Sequence, residues 1–302
     1  WEPYPLALRL AHWGRWLARF HEARSETLLR SLRRQVVALA GGVEHDLVNN
    51  HVVENLTALL LAAAVLRPAP AIRRLRASAW RSLREALAGQ VAPDGAHVER
   101  SAMYHSLVLA RLLLLRPLAA GARQRDLDAT IARMAHRLRR YVLPDGSVAH
   151  FNDSTDGVAP PPALLLGAAR AAGIDLPAAP PDEAGPDGTG LACLAAADYH
   201  CLVDCDGPRP AGNPAHAHAA IGAPVLHWRG RALVADPGCS TYEAAPVRAE
   251  ERGTAAHNTV CLDGLDQSEM WGVFRVGARA RVTSRCARCG GLTVLDVAHD
   301  GY

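Results

Sequence analysis

The spacing of apolar residues changes once along this chain, and that change restricts the fold more than any other feature. Up to about residue 175 the spacing is helical: Leu6, Leu10, Trp13 and Leu17 form one stripe, and Val52, Leu56, Leu59 and Leu60 another. Residues 176–190 are dense in Pro, Gly and acid, which predicts an interdomain linker. Beyond it, short apolar runs at 200–203, 232–235 and 259–262 alternate with Gly, Asp and Pro turns, the pattern of antiparallel strands in a sandwich. The chain therefore reads as an α+β protein of several domains: helical over 1–175, linker over 176–190, and β-sandwich over 191–302.

The helical half is punctuated by Pro93-Asp94-Gly95 and Pro144-Asp145-Gly146, 51 residues apart (144 − 93). A period of that size fits a helical hairpin repeated around a ring or solenoid. Each Pro-Asp-Gly reads first as a plain turn, and second as a loop at a cleft.

At 302 residues, 49% hydrophobic, the chain can bury a sizeable core in one large or two ordinary domains. A net charge of +3 is too small for a dedicated nucleic-acid binder, yet it permits an anionic substrate. No apolar run is long enough to span a bilayer, since Arg67-Pro68 ends the run through Leu66. The chain opens on Trp1, has its first Met at Met103, and stops among strand-like residues at Tyr302, so it reads as a fragment lacking both ends. Seven Cys, with one Cys286-Ala-Arg-Cys289 and no second CxxC, read as incidental thiols.

Polar residues cluster where apolar elements begin. Asn50, His51 and Glu54 share one face at the start of an apolar helix, a costly arrangement unless that face meets a cleft; the alternative is an N-cap with a surface His and Glu. Arg100 and Tyr104 stand at i and i+4 at the entry to the next, with Glu99 beside them. A tyrosine serves as a base only near cations or imidazoles, and otherwise this is a half-buried helix Tyr. Asn152, Asp153 and Asp156 lie in a polar loop, as turn formers or as a glycosidase-like carboxylate pair. His216 and His218, at i and i+2, would share a strand face. With Asp236 and His257 they lie on three segments that each look like a strand edge. Two His and one Asp could close one metal site suited to Zn²⁺ and leave the other His free; the alternative is surface polar residues at strand ends.

Together these segments resemble the heparinase II/III-like family of polysaccharide lyases, which includes oligoalginate lyases. The resemblance runs in order from about 49 to 281. It rests on Asn50-His51-Val-Val-Glu54-Asn55, Asp94-Gly-Ala-His-Val-Glu99-Arg100-Ser-Ala-Met-Tyr104-His105 and Phe151-Asn152-Asp153-Ser154. It continues through Asn213-Pro-Ala-His216-Ala-His218, Val234-Ala-Asp236-Pro-Gly238, Arg252-Gly-Thr-Ala-Ala-His257-Asn258-Thr259 and Asp266-Gln-Ser-Glu-Met-Trp271-Gly. Two departures stand out: Ala220 occupies a position that is commonly acidic, and Pro224 interrupts the strand that usually follows.

The resemblance implies an incomplete (α/α) toroid followed by an antiparallel β-sandwich, and β-elimination at a uronic acid. It implies that Asn50 and His51 hold the substrate carboxylate, and that Tyr104 and His216 act as acid and base across a cleft. Glu54, Glu99, Arg100, Asn152 and Trp271 would contact substrate. His218, Asp236 and His257 would bind a structural Zn²⁺. It further implies an anionic polysaccharide or oligosaccharide partner, including bacterial exopolysaccharide, a periplasmic or secreted location, and room for a homodimer. Two other classes stay open: a glycan-binding or assembly protein on the same fold without turnover, and a toroid glycoside hydrolase using Asp153 and Asp156.

Overall fold

The computed structural model describes residues 1–176 and 185–302. Most of the expected linker, residues 177–184, lies outside the described residues. The chain forms two compact units, one of residues 1–90 and 110–129 and one of residues 91–109 and 130–302.

The first unit holds α1 (Pro3–Arg19), α2 (Glu26–Ala40), α3 (Asn50–Ala64) and α4 (Pro70–Gln90). Helix α3 packs against the other three. It is apolar almost all round, and all its residues except His51 and Ala64 are buried, as such a helix requires. Gly14 makes the approach of α1 possible: a Cβ there would sit 2.8 Å from the Leu61 carbonyl carbon. Asn49 caps α3 by accepting from the His51 backbone N–H at 3.0 Å, and Gln90 Nε2 donates to the Asn49 carbonyl at 2.9 Å.

Helices α5 (Ala102–Leu115) and α6 (Ala122–Tyr141) are divided between the units; α7 (Pro162–Ala171) belongs wholly to the second. The Pro-Asp-Gly turns close the same way in both places: Ala92 N–H donates to Ala96 O, and Leu143 N–H to Ser147 O, each at 2.9 Å. A like turn closes with Asp187 N–H to Leu191 O at 2.9 Å and a left-handed Gly190, set two residues further along than its Pro186-Asp187-Gly188 would place it.

The main sheet is antiparallel in the order β1 (Leu191–Ala195), β2 (Tyr199–Asp204), β3 (Pro224–Trp228), β4 (Arg231–Val234). Its register pairs Leu191 with Asp204 and Tyr199 with Trp228. One face, through Leu191, Leu202 and Val225, packs on Ala102, Tyr141, Leu143, Ala149 and Phe151. The other, through Ala192, Val203 and Cys205, packs on Leu295 and Val297. After the short α8 (Pro246–Arg252) come two antiparallel hairpins, β5 (Met270–Trp271) with β6 (Arg275–Val276) and β7 (Val282–Cys289) with β8 (Leu292–His299).

The compact units do not follow the expected division at 175–190. The sheet packs one apolar face on Ala102, Tyr141, Leu143, Ala149 and Phe151, all before that stretch, and residues 91–109 and 130–176 join the strands in one compact unit. Two expected strands are absent. Residues 213–223 are irregular, and Pro224 opens β3, where its missing N–H costs nothing. Residues 259–262 contribute one bridge, Leu262 to Leu265, because Asp263 and Gly264 turn left-handed at φ 53° and 74° and end the pairing. All seven cysteines are free thiols.

Candidate active site

The site in the second unit is built around a dipeptide. Asn152 adopts a left-handed φ of 60°, and Arg100, which precedes α5, adopts 56°. Neither is a glycine, so each conformation needs support from its surroundings. Asn152 supplies it: Nδ2 donates to the Arg100 carbonyl at 2.9 Å, and Oδ1 accepts from the His218 backbone N–H at 3.0 Å. The next residue, Asp153, is wholly buried. Its backbone N–H donates to the His216 carbonyl at 3.0 Å, and its carbonyl accepts from Ser101 Oγ at 2.9 Å. Ser101 Oγ in turn accepts from the Tyr104 backbone N–H at 3.2 Å, capping α5. These bonds tie the first turn of α5, which carries Tyr104, to the irregular segment that carries His216 and His218.

The Asp153 carboxylate gathers four donors. Oδ2 accepts from His216 Nδ1 and from Arg248 Nη2, each at 2.8 Å. Oδ1 accepts from His218 Nε2 at 2.8 Å and from Arg248 Nη1. Burial alone would push this carboxyl up, but the bonds from His216, His218 and Arg248 outweigh it and hold it well below the usual carboxylate range. Burial lowers His218, so its imidazole is neutral near pH 7. Arg248 also lies over the rings of Tyr242 and Phe274, at 5.3 and 5.6 Å. Four residues along α8, Arg252 donates from Nε to the carbonyl of Ala217, between the two histidines, at 3.3 Å.

Tyr104 and His216 come together, ring centroids 4.3 Å apart. The Tyr104 hydroxyl lies 2.8 Å from that of Tyr242. Burial, with Tyr242 beside it, pushes Tyr104 well above an ordinary phenol, so it carries its proton at neutral pH. Phe274 stands 6.2 Å from the His216 ring and is 43% exposed. Trp271 is half exposed with Arg275 stacked 4.9 Å over it. This unit thus offers a protonated phenol, an imidazole nitrogen turned away from Asp153, and exposed aromatic rings of the kind sugars stack on.

The three expected metal donors are neighbours. The rings of His218 and His257 are 5.2 Å apart, and His257 Nδ1 lies 2.8 Å from Asp236 Oδ2. Left-handed Gly238 (φ 65°) lets the Asp236 turn press against Ser154, where a Cβ would collide with its carbonyl. His218 Nδ1 and His257 Nε2 are buried without a hydrogen-bond partner. Two orphaned imidazole nitrogens beside a carboxylate suit Zn²⁺ chemically. They are not closed into a cage: among the described residues, no three His, Cys, Asp or Glu stand ready to hold an ion. Of the three segments, only that of Asp236 follows a strand; the two histidines lie in irregular chain, and His257 follows a 3₁₀ turn at Thr254–Ala256.

Other expected site residues are engaged internally. The Arg100 guanidinium is buried, pairing with Asp204 and donating to the Gly207 carbonyl at 2.6 Å, so it faces inward and not toward substrate. Asn152 is spent on backbone groups. Glu99 is buried with its oxygens 3.7 Å from His97 Nδ1 and 3.9 Å from His216 Nε2, a neighbour of the imidazole and not a surface contact. Glu54 is buried and paired with Arg111. The carboxylate pair for glycoside hydrolysis fails as well, since Asp153 has no proton to give and Asp156 is exposed beside His150 at 3.1 Å. Asn50 and His51 belong to the first unit, as the first two residues of α3; His51 stacks on Tyr4 at 4.3 Å and meets Glu44 at 3.1 Å. A cavity of about 490 Å³ is lined by Met103, Ser106, Thr155 and Val158 among others, and none of the residues gathered around Asp153 lines it.

Tyr242, Phe274 and Arg248 did not stand out in the sequence, and Arg252 entered only as the first residue of the segment that carries His257. The one signal was the i, i+4 arginine pair on α8, two cations whose burial demands partners.

Comparison with known proteins agrees with this architecture. Residues 42–159 match the family described as heparinase II/III N-terminus, and residues 178–302 the one described as heparinase II/III-like, C-terminal. No curated protein sequence matches. Among solved structures, heparinase III superposes with a TM-score of 0.71 at 16% identity, covering 96% of this chain and 50% of that one. Heparan sulfate lyase HepC from Pedobacter heparinus superposes at 0.65 and 18%, covering 100% and 50%. The likeness establishes the fold, an incomplete helical toroid followed by antiparallel sheets, and the chain spans about half the length of these structures.

Proposed function

The chain belongs to the heparinase II/III-like family, and from that premise we propose that it is a polysaccharide lyase, cleaving a uronic-acid-containing polysaccharide by β-elimination. The observation that carries the reading is the pairing of Tyr104 with His216 at 4.3 Å on a fully bonded buried support. In such a step the C5 proton is removed, the C4–O4 bond breaks, a C4–C5 double bond forms in conjugation with the carboxylate, and O4 takes up a proton. Tyr104 holds its proton, which suits it to protonate O4. His216 Nε2, turned away from Asp153, is the group suited to take the C5 proton.

Asn50 and His51, at the positive end of α3, are assigned to the substrate carboxylate on the strength of the family resemblance; a helix N-terminus favours an anion there. Trp271 offers a face for stacking. Zn²⁺, held by His218, Asp236 and His257, would brace the segment that carries His216 as a structural ion. The periplasmic or secreted location belongs to the same reading.

The test is Tyr104→Phe, which removes one oxygen and keeps the packing. Unsaturated product from a uronate polymer should fall by roughly 10²- to 10⁴-fold with KM little changed. Near-native turnover would remove Tyr104 from the chemistry. If the native chain bound the polymer and released neither unsaturated product nor reducing ends, it would be a glycan-binding protein instead.

A further inference from the structure

We propose that Asp153 is a positioning residue that sets the tautomers of both histidines in the His216-Ala-His218 segment at once, with Arg248 as its fixed counter-charge. The significance of His216 rests on the lyase reading; the tautomer assignment does not.

A carboxylate accepts and never donates, and it offers about four lone-pair sites. Here four donors fill them: His216 Nδ1, His218 Nε2 and both Nη atoms of Arg248. The proton of each imidazole on the Asp153 side is therefore fixed, on Nδ1 of His216 and on Nε2 of His218. In the neutral rings the lone pair must then sit on the opposite nitrogen. For His216 that is Nε2, which lies 3.9 Å from Glu99 Oε1 and is the atom left to receive a proton. For His218 it is Nδ1, the buried nitrogen without a partner.

The two rings leave opposite nitrogens clear of the carboxylate because His216 meets Oδ2 with Nδ1 while His218 meets Oδ1 with Nε2. The irregular 213–223 segment, with Asn152 and Arg252 holding its backbone, lets both rings converge.

Arg248 completes the device. Its guanidinium lies as a positive charge against the carboxylate and takes the two lone-pair sites that the histidines leave.

Asn is the informative replacement. Its amide presents one accepting oxygen and an NH2 group, so the four-donor arrangement cannot be kept and at least one ring must reverse. The experiment records two-bond ¹⁵N–¹H correlation spectra of the histidines in the native chain and in Asp153→Asn, alongside kcat and KM on a uronate polymer.

The native spectra should show His216 protonated on Nδ1 and His218 on Nε2. In the variant at least one pattern should reverse, and kcat per folded molecule should fall by about 100-fold or more while KM stays within about threefold. Tyr104→Phe should lower kcat and leave the histidine pattern alone. A native His216 protonated on Nε2 overturns the proposal, whether or not the variant folds. So does a folded Asp153→Asn with native tautomers and native kcat, which would make Asp153 a stability residue only. If the native chain gives no unsaturated product, the lyase reading fails, and the spectra still decide the role of Asp153.

Discussion

Replacing Arg248 by Met tests the support of the site as a single unit. Met keeps the length and bulk of the arginine stem and removes the charge. Three contributions are lost. The Asp153 carboxylate, wholly buried, is left without its counter-ion, and breaking a buried pair from one side costs about 3–5 kcal/mol. The Val273 carbonyl loses the donors at 3.2 and 3.1 Å, worth about 1 kcal/mol net. The two cation–π contacts with Tyr242 and Phe274 add about 0.5–2 kcal/mol. Apolar burial of the Met returns part of this. A net cost of roughly 5 kcal/mol is close to the whole stability of a marginal domain. The assay is urea unfolding of the native chain, Arg248→Met, Asp153→Asn and the double variant. The single costs should exceed the double-variant cost by about 2–3 kcal/mol, because the second substitution removes the charge the first had stranded. An unfolded Arg248→Met with a double variant that regains a cooperative transition is the same result. Costs that add to within about 0.5 kcal/mol would refute the reasoning, since the pair would then be carrying no mutual energy.

Three further outcomes are expected. His218→Ala should lower zinc content, read by metal analysis, and the melting temperature together, because a lost ligand removes binding energy that is also folding energy; loss of turnover with native stability and metal content would place His218 in the chemistry instead. Asn50→Ala should reduce kcat more than it raises KM in steady-state kinetics on a uronate polymer, the signature of an interaction strengthened in the transition state. Asp204 predicts a pH effect: burial, only partly offset by Arg100, pushes its carboxyl up to about 6. The folded value exceeds the unfolded ~3.9, so this group favours folding most below pH ~4, and that contribution, on the order of 3 kcal/mol, is lost as pH rises through about 6. The stability of the native chain minus that of Asp204→Asn, from urea titrations at pH 4 and 7.5, should shrink by roughly that amount, and a difference flat in pH would contradict the shift.

Much of the fold was legible because helices and strands announce their periods. The stripe through Leu6, Leu10 and Leu17 is buried in α1, and that through Val52, Leu56 and Leu59 in α3. The division into units was not legible, since it depends on Leu191, Leu202 and Val225 finding Ala102, Tyr141 and Phe151, residues distant in sequence whose contact no local pattern encodes. The irregular course of 213–223 was hidden for a related reason: alternation suggested a strand, while the backbone of His218 bonds to the Asn152 side chain and that of Ala219 to Arg252. In the site, residue types such as Tyr104, His216, His218 and His257 could be singled out for their chemistry. Arg100 and Glu99 look equally functional in sequence, and what sets them apart is their partners, Asp204 for Arg100 and the His97 and His216 imidazoles for Glu99, which no local pattern encodes. Asp153 looked like a turn former because Asn, Asp and Ser build turns; its role depends on Arg248, 95 residues further along.

The central claim is β-elimination, and the product tests it most directly. The native chain is incubated with a panel of uronate polymers, and ultraviolet absorbance of the conjugated C4–C5 double bond is followed together with reducing ends. The account predicts that on at least one polymer both signals rise in equal molar proportion. Reducing ends without the absorbance would mean hydrolysis and would contradict the account.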